Sequence, residues 1–371
     1  MKNSDWYNLD DTSEVITPSL LVYPDRIAKN INTMISMAGG TSRLRPHIKT
    51  HKNAEIIKMQ LDAGIEKFKC ATIAEAELLA LCKAPDILLA MQPVGANMER
   101  FFKLMKTFPE SKFSALVDNE TIIDRFAQMA KEKEMQVSLW MDINNGMNRT
   151  GILPGEEAVR LYSIMSKIPE IEPEGLHVYD GHLRNADPKE RKRACDSAFK
   201  IVLGLKNKIE ANGIMVKDVV AGGSPSFPFH AEREGVDASP GTTVLWDGGY
   251  AQLFPEMDFI PAAVLMTRVI SKPDNKTICL DLGHKSMASE MPFPRVRFLN
   301  LGDDCKQVGQ SEEHFVLECK NNDSYTIGDV VYAIPVHICP TVAKYENLQV
   351  VEKGRITTVW KVAARNQSIT I

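Results

Sequence analysis

The segment Arg45-Pro46-His47-Ile48-Lys49-Thr50-His51-Lys52 crowds two histidines and two lysines at the end of an apolar run. A lysine held among cationic neighbours loses ammonium stability, its pKa falls, and the free amine can attack a carbonyl carbon. The competing reading is a solvated basic loop. Further along, Met141-Asp142-Ile143-Asn144-Asn145-Gly146-Met147-Asn148-Arg149-Thr150-Gly151 carries an arginine between small residues. Ala221-Gly222-Gly223-Ser224-Pro225-Ser226 and Pro240-Gly241-Thr242-Thr243 offer small residues with free amides, the usual material of a phosphate cradle, although most such turns only redirect the chain. In Pro335-Val336-His337-Ile338-Cys339-Pro340-Thr341, strand alternation would put His337 and Cys339 on one face, within reach of one cation. Two ligands alone are a weak metal signal, and the competing reading is a buried histidine beside a structural cysteine.

The elements that must position these groups follow a rhythm. Strand-like runs at Ser19–Tyr23, Leu44–Lys49, Lys67–Ala71, Asp86–Met91, Phe113–Asp118, Val137–Asp142, Glu174–Tyr179, Lys217–Gly222 and Thr242–Asp247 alternate with helix-length segments. Repeated βα units imply a parallel sheet, and about eight imply a closed (β/α)₈ barrel. One intervening segment shows Ile122, Phe126, Met129 and Ala130 at helical spacing after a candidate N-cap, Asn119. The strand ends read Lys49, Asp142, Tyr179 and Gly222, which puts the chemistry at the C-terminal rim, where barrel enzymes build their sites. Beyond about residue 252 the runs Ala263–Ile270, Thr277–Leu282, His314–Glu318, Val330–Ile334 and Thr357–Val362, broken by Gly, Pro and Asn turns, predict an all-β second domain. The expected fold is therefore α/β: a barrel over 24–252 and a C-terminal β-domain over 253–371, joined by the N-terminal segment 1–23.

Composition narrows the class. The 371 residues suffice for two domains. With 44% hydrophobic and 25% charged residues the chain reads as globular. A net charge of −4 from 44 basic and 48 acidic residues, well mixed, argues against a nucleic-acid partner. No apolar stretch approaches the ~20 residues that span a bilayer, and the polar start lacks the apolar run of a secretory signal. Seven cysteines without paired spacing fit a reducing compartment better than a disulfide framework, so the cytoplasm is expected.

The basic segment resembles the lysine motif of the D-threonine aldolase and eukaryotic-type D-serine dehydratase family, whose fold is alanine-racemase-like (fold type III). TPSLLVY, RPHIKTHK, GMNRTG, YDG, GGSPS, PGT and a late His-x-Cys follow in that family's order over nearly the whole chain. The resemblance implies that Lys49 holds pyridoxal 5'-phosphate as a Schiff base and that Arg149 lies near the coenzyme's phenolic oxygen. It implies further that Tyr179 walls the pocket and that Gly222, Gly223, Ser224, Gly241 and Thr242 cradle the phosphate. His337 and Cys339 would bind a divalent metal, zinc being favoured by the thiolate and manganese or magnesium being the alternatives. Family members often carry a histidine six residues after the tyrosine, where this chain has Asn185; His182 or a metal-bound water would then take the proton of the substrate hydroxyl. A homodimer is implied.

These parts serve a lyase acting on a small D-3-hydroxy amino acid. Loss of the hydroxyl proton would break Cα–Cβ, taking D-threonine to glycine and acetaldehyde. Removal of the α-proton by Lys49 with departure of hydroxide would take D-serine to pyruvate and ammonia. The aldolase is placed narrowly first. A racemase on the same scaffold needs a tyrosine base from the β-domain, and the stretch Thr267-Arg268-Val269-Ile270 followed by Leu280 to Lys285 has none. A non-catalytic coenzyme carrier would need neither a second domain nor a metal pair.

Overall fold

A computed structural model describes residues 6–371. The chain forms two compact units. One comprises Met34–Lys49, Ile57–Gly241 and Asn366–Ile371; the other comprises the described residues up to Thr33 together with Thr50–Ile56 and Thr242–Arg365.

The first unit carries seven parallel strands in sequential order: Lys67–Cys70, Asp86–Leu89, Lys112–Val117, Val137–Ile143, Ile171–Val178, Asp218–Ala221 and Val236–Ala238. The segment from Leu44 to His47 lies between the last and the first of them. Leu44 bridges Ala238 and His47 bridges Lys69, both parallel, so this segment completes the ring as its eighth member. The expected barrel is thus realised, with two changes of detail. Leu44–Lys49 does not end as a strand, because Ile48–Thr50 turns into a single 3₁₀ turn that carries Lys49. Thr242–Asp247 is no strand either: Thr242–Val244 is 3₁₀, and the last barrel strand is the three-residue Val236–Ala238 upstream.

Helices follow the strands with the expected caps. Asn119 accepts from the Ile122 amide and opens Glu120–Glu132, which buries Ile123, Phe126, Met129 and Ala130. Thr72 and Glu75 form a capping box: Thr72 Oγ1 accepts from Glu75 N, and Glu75 returns a bond to Ala71 N. Inside the ring, Leu88, Leu116, Trp140 and Val220 form one buried layer from four strands. Trp140 donates its indole N–H to Ser114 Oγ at 3.0 Å.

Arg45 belongs to this interior rather than to the reactive cluster. Its fork grips Asp86 at 2.6 and 3.1 Å and its Nε reaches Asp237 at 3.2 Å, while Lys67 adds a 2.8 Å contact to Asp237. Asp86 and Lys67 open their strands, so the network ties the N-terminal ends of the ring, away from the catalytic rim. Arg45→Ala would strip Asp86 of the guanidinium fork and leave buried Asp237 with Lys67 alone, and is expected to cost about 3 kcal/mol. Urea unfolding of the variant checks this, and a loss below about 1 kcal/mol would contradict a structural role for the network.

The second unit is built on a nine-stranded sheet. Its main path runs Lys306–Gln310, Phe315–Glu318, Thr277–Leu280, Ala263–Ser271, Ser19–Val22, Asn347–Glu352 and Arg355–Lys361; Val330–Pro335 pairs with Ala263–Ser271 and with Val296–Phe298. Ser19–Val22 lies antiparallel to Ala263–Ser271 and parallel to Asn347–Glu352. Tyr7, Tyr23, Met266 and Tyr332 share its buried cluster. Contrary to the expectation of unpaired cysteines, Cys305 and Cys319 form a disulfide. The cause is register: Lys306 pairs with Glu318, so the flanking cysteines face each other across the hairpin. Among the described residues, no helix is long and apolar enough to cross a membrane.

Candidate active site

The C-terminal ends of the barrel strands enclose a cavity of about 560 Å³. Lys49 and His47 reach it from the closing segment, Lys69 from the first named strand, Asp118 from the turn after the third, Asp142, Arg149 and Thr150 from the fourth strand and its loop, and His177 and Tyr179 from the fifth. This volume lies in the range of coenzyme pockets.

Tyr179 organises the cations. Arg149 Cζ lies 4.7 Å from its ring centroid, Lys49 Nζ 5.5 Å and Lys69 Nζ 6.0 Å. The ring itself rests on two glycines. A Cβ on Gly181 would stand 2.2 Å from the Tyr179 hydroxyl oxygen, and one on Gly223 would stand 3.1 Å from Cε2. The residues that the sequence singled out as Lys49, Arg149, Tyr179 and Gly223 are therefore neighbours. A primary amine, a guanidinium and an open aromatic wall in one cavity suit an aldehyde coenzyme that carries an anionic ring oxygen.

Sequence reasoning missed Lys69, although the rule about strand ends applied to it. It is 2% exposed, and its Nζ is 3.5 Å from His177 Nε2. Burial, reinforced by the charge of Lys49, lowers the Lys69 amine to about 7. Asp142 Oδ1 lies 2.8 Å from His177 Nδ1. Burial holds His177 below its usual range. Burial also opposes charge on Asp142, but the contact with His177 outweighs it and the carboxyl stays low. A neutral His177 must then donate from Nδ1 to Asp142 and present Nε2 as an acceptor to Lys69.

The two glycine turns meet, since Gly241 N donates to Ser224 Oγ at 3.2 Å. Their amides are not all free, as the sequence reading had them. Gly222 N donates to Val178 O at 2.9 Å and Gly223 N to Ser226 Oγ at 3.2 Å. Gly222 takes φ +84°, and a Cβ there would strike His230 at 2.6 Å. Behind the turn, Ser226 Oγ donates to Asp180 at 2.6 Å and His230 Nε2 lies 2.7 Å from the same carboxylate. Asp180, Cys195 and His230 together have the spacing of metal ligands. Arg233, 3.7 Å from the sulfur and 3.3 Å from His230 Nδ1, already supplies a cation there.

Other residues take different places. His182 is exposed and is not among the cavity-lining residues; its ring packs over Gly146, where a Cβ would stand 3.0 Å from Nε2. Asn185 is exposed as well. In the second unit His51 is 1% exposed, and burial lowers its imidazole to about 3, so it adds no charge. The cationic neighbour of Lys49 is accordingly Lys69.

His337 and Cys339 also lie in the second unit, but not on a strand. The strand ends at Pro335; His337 caps the short helix Ile338–Val342, and Cys339 sits in its first turn. Pro340 has no N–H for a ladder, which is why the strand reading fails here. Asp247 fixes this segment by accepting from Ile338 N at 3.2 Å, and the Gly249 amide donates to Val336 O. The two side chains nevertheless converge. Burial opposes charge on His337, but contacts with Cys339 and Glu290 outweigh it and raise the imidazole to about 9. These surroundings favour positive charge. Cys339 Sγ is 3.2 Å from Thr50 Oγ1 and 3.6 Å from Thr242 Oγ1, so the Thr242 side chain is turned toward this pair. Glu290, unnoticed in the sequence, bonds His337 Nδ1, the kind of carboxylate contact that orients a metal-binding histidine. Imidazole with thiolate fits a divalent cation.

Residues 22–244 match the family described as "Alanine racemase, N-terminal domain", and residues 262–351 match "Putative serine dehydratase domain". The chain belongs to the alanine racemase N-terminal domain family. Within that family it is a pyridoxal-phosphate-dependent lyase of the D-threonine aldolase and D-serine dehydratase type. It is 26% identical over 370 residues to the 3-hydroxy-D-aspartate aldolase of Paracoccus denitrificans (strain Pd 1222), covering 96% of this chain and 94% of that one. It is 26% identical over 367 residues to the D-threonine aldolase of Arthrobacter sp, covering 97% and 95%. The crystal structure of D-threonine aldolase from Filomicrobium marinum superposes with a TM-score of 0.86 at 25% identity, covering 95% of this chain and 96% of that one. The expected alanine-racemase-like fold is borne out.

Proposed function

We propose that this family member cleaves D-3-hydroxy amino acids between Cα and Cβ, with D-threonine going to glycine and acetaldehyde. The observation that carries the reading is the cavity in which Lys49, Arg149 and Lys69 surround the face of Tyr179.

When bound, the coenzyme supplies an electron sink for charge left on the substrate's α-carbon. Lys49 would be its point of attachment, and the Lys49 amine is the group that would exchange a proton at the substrate's Cα. Arg149 and Tyr179 would hold the coenzyme, and the paired turns of Gly222, Gly223, Ser224 and Gly241 would receive its phosphate. His337 and Cys339, with Glu290 orienting the imidazole, would hold a divalent cation, zinc by its donors, that supplies Lewis acidity for the β-oxygen. We assign no proton-transfer step to the exposed His182.

A second reading, D-serine to pyruvate and ammonia, is favoured by one feature, the cysteine in the metal pair. There Lys49 would take the α-proton and the β-oxygen would leave as hydroxide. Incubating the protein with D-threonine, 3-hydroxy-D-aspartate and D-serine, with L-isomers as controls, separates the readings. Acetaldehyde or glyoxylate with glycine is expected from the first two. Pyruvate as the dominant product would select the dehydratase, and no product from any D-isomer would overturn both.

A further inference from the structure

Among the described residues, Lys69 is the one buried cation of the cavity whose charge has no carboxylate within ion-pair distance. The charged groups acting on it are Lys49 from the 3₁₀ turn, Arg45 from the closing segment, Asp142 from the fourth strand and Asp180 after the fifth; His177 contacts it from the fifth strand and His47 bridges it from the closing segment. Arg45 is matched by Asp86 and Asp237, Asp180 by His230, and Asp142 by His177. What remains is two amines, Lys49 and Lys69, near the Tyr179 ring that Arg149 also covers, and a neutral imidazole that contacts Lys69.

We propose that Lys69 is a positioning residue of the coenzyme cavity, an amine that the Asp142–His177 pair orients to donate a hydrogen bond, as an ammonium, to an anionic oxygen bound there. This rests on the proposed function, because it is the coenzyme and its substrate that would bring such an oxygen. Two sources share that chemistry: the coenzyme's ring oxygen and the substrate's carboxylate. Burial and the charge of Lys49 lower the amine to about 7, into the range where its proton can come and go near neutral pH. An incoming anion stabilises the ammonium, so binding draws the remaining proton in. His177 keeps the amine oriented in either state, since its Nε2 accepts whichever N–H faces it.

The test compares wild type, Lys69→Met and Lys69→Arg as coenzyme-loaded full-length protein, titrated from pH 6 to 9 and followed by coenzyme absorbance. Methionine removes the charge at similar length; arginine keeps it at every pH. If the oxygen belongs to the coenzyme, the wild-type band shifts with pH, Lys69→Arg stays locked in the low-pH form, and Lys69→Met stays locked in the high-pH form. If it belongs to the substrate, the three spectra coincide, while the dissociation constant for D-threonine rises at least tenfold in Lys69→Met and not in Lys69→Arg. A merely structural lysine would not separate the variants by charge. Coincident spectra together with unchanged D-threonine affinity overturn the proposal. Borohydride fixation of coenzyme to Lys49, run on the same samples, keeps the underlying reading separate: label at Lys49 without any split among the variants removes the role of Lys69 alone.

Discussion

Lys49→Ala is expected to lose lyase activity by about 10³-fold or more, as when a covalent catalytic group is removed from a site whose other parts remain. The same variant should lose the coenzyme absorbance that reports a covalent bond, yet keep its thermal stability. The reason lies in its setting. Lys49 sits on the 3₁₀ turn Ile48–Thr50 at the cavity, while the buried network that secures the closing segment is carried by Arg45. Added primary amines restoring part of the activity would support an amine role, whereas a fully active Lys49→Ala would remove the residue from the chemistry.

Removal of the metal pair should have the second largest effect. His337→Ala and Cys339→Ala are each expected to lower turnover on the order of 10²–10³-fold, the scale of losing Lewis-acid stabilisation worth several kcal/mol. Chelator should reproduce that loss in wild type, and added zinc should reverse it there but not in the variants. Glu290→Gln should weaken metal affinity by about 10–100-fold while leaving turnover at saturating metal nearly intact, because it acts on the orientation and basicity of His337. Coenzyme absorbance at Lys49 should survive all three changes. Full activity in chelator, with no metal in the purified protein, would contradict the assignment.

These residues were legible in the sequence to different degrees. Lys49, Arg149 and Tyr179 sit in ordered motifs and meet at one rim, because parallel strands deliver their C-terminal ends to the same side. Lys69 was overlooked because a lysine in Lys67–Cys70 reads as a strand's solvent face, and only closure of the ring by His47 buries it. Val236–Ala238 has three residues and a central Asp237, too short for any period, whereas Thr242-Thr243-Val244-Leu245-Trp246 has the β-branched and aromatic content of a strand. The tight turn after Gly241 overrides that propensity. His337 and Cys339 were chosen for alternation, but they converge through a helix cap. The Cys305–Cys319 bond depends on a hairpin register that cysteine spacing alone does not reveal.

Capture of the coenzyme by one particular amine can be read directly by borohydride reduction of the coenzyme-loaded protein followed by peptide mapping. One pyridoxyl group per chain, on Lys49, is the expected result. Label on Lys69 or Lys52 instead, or no label at all, would contradict it.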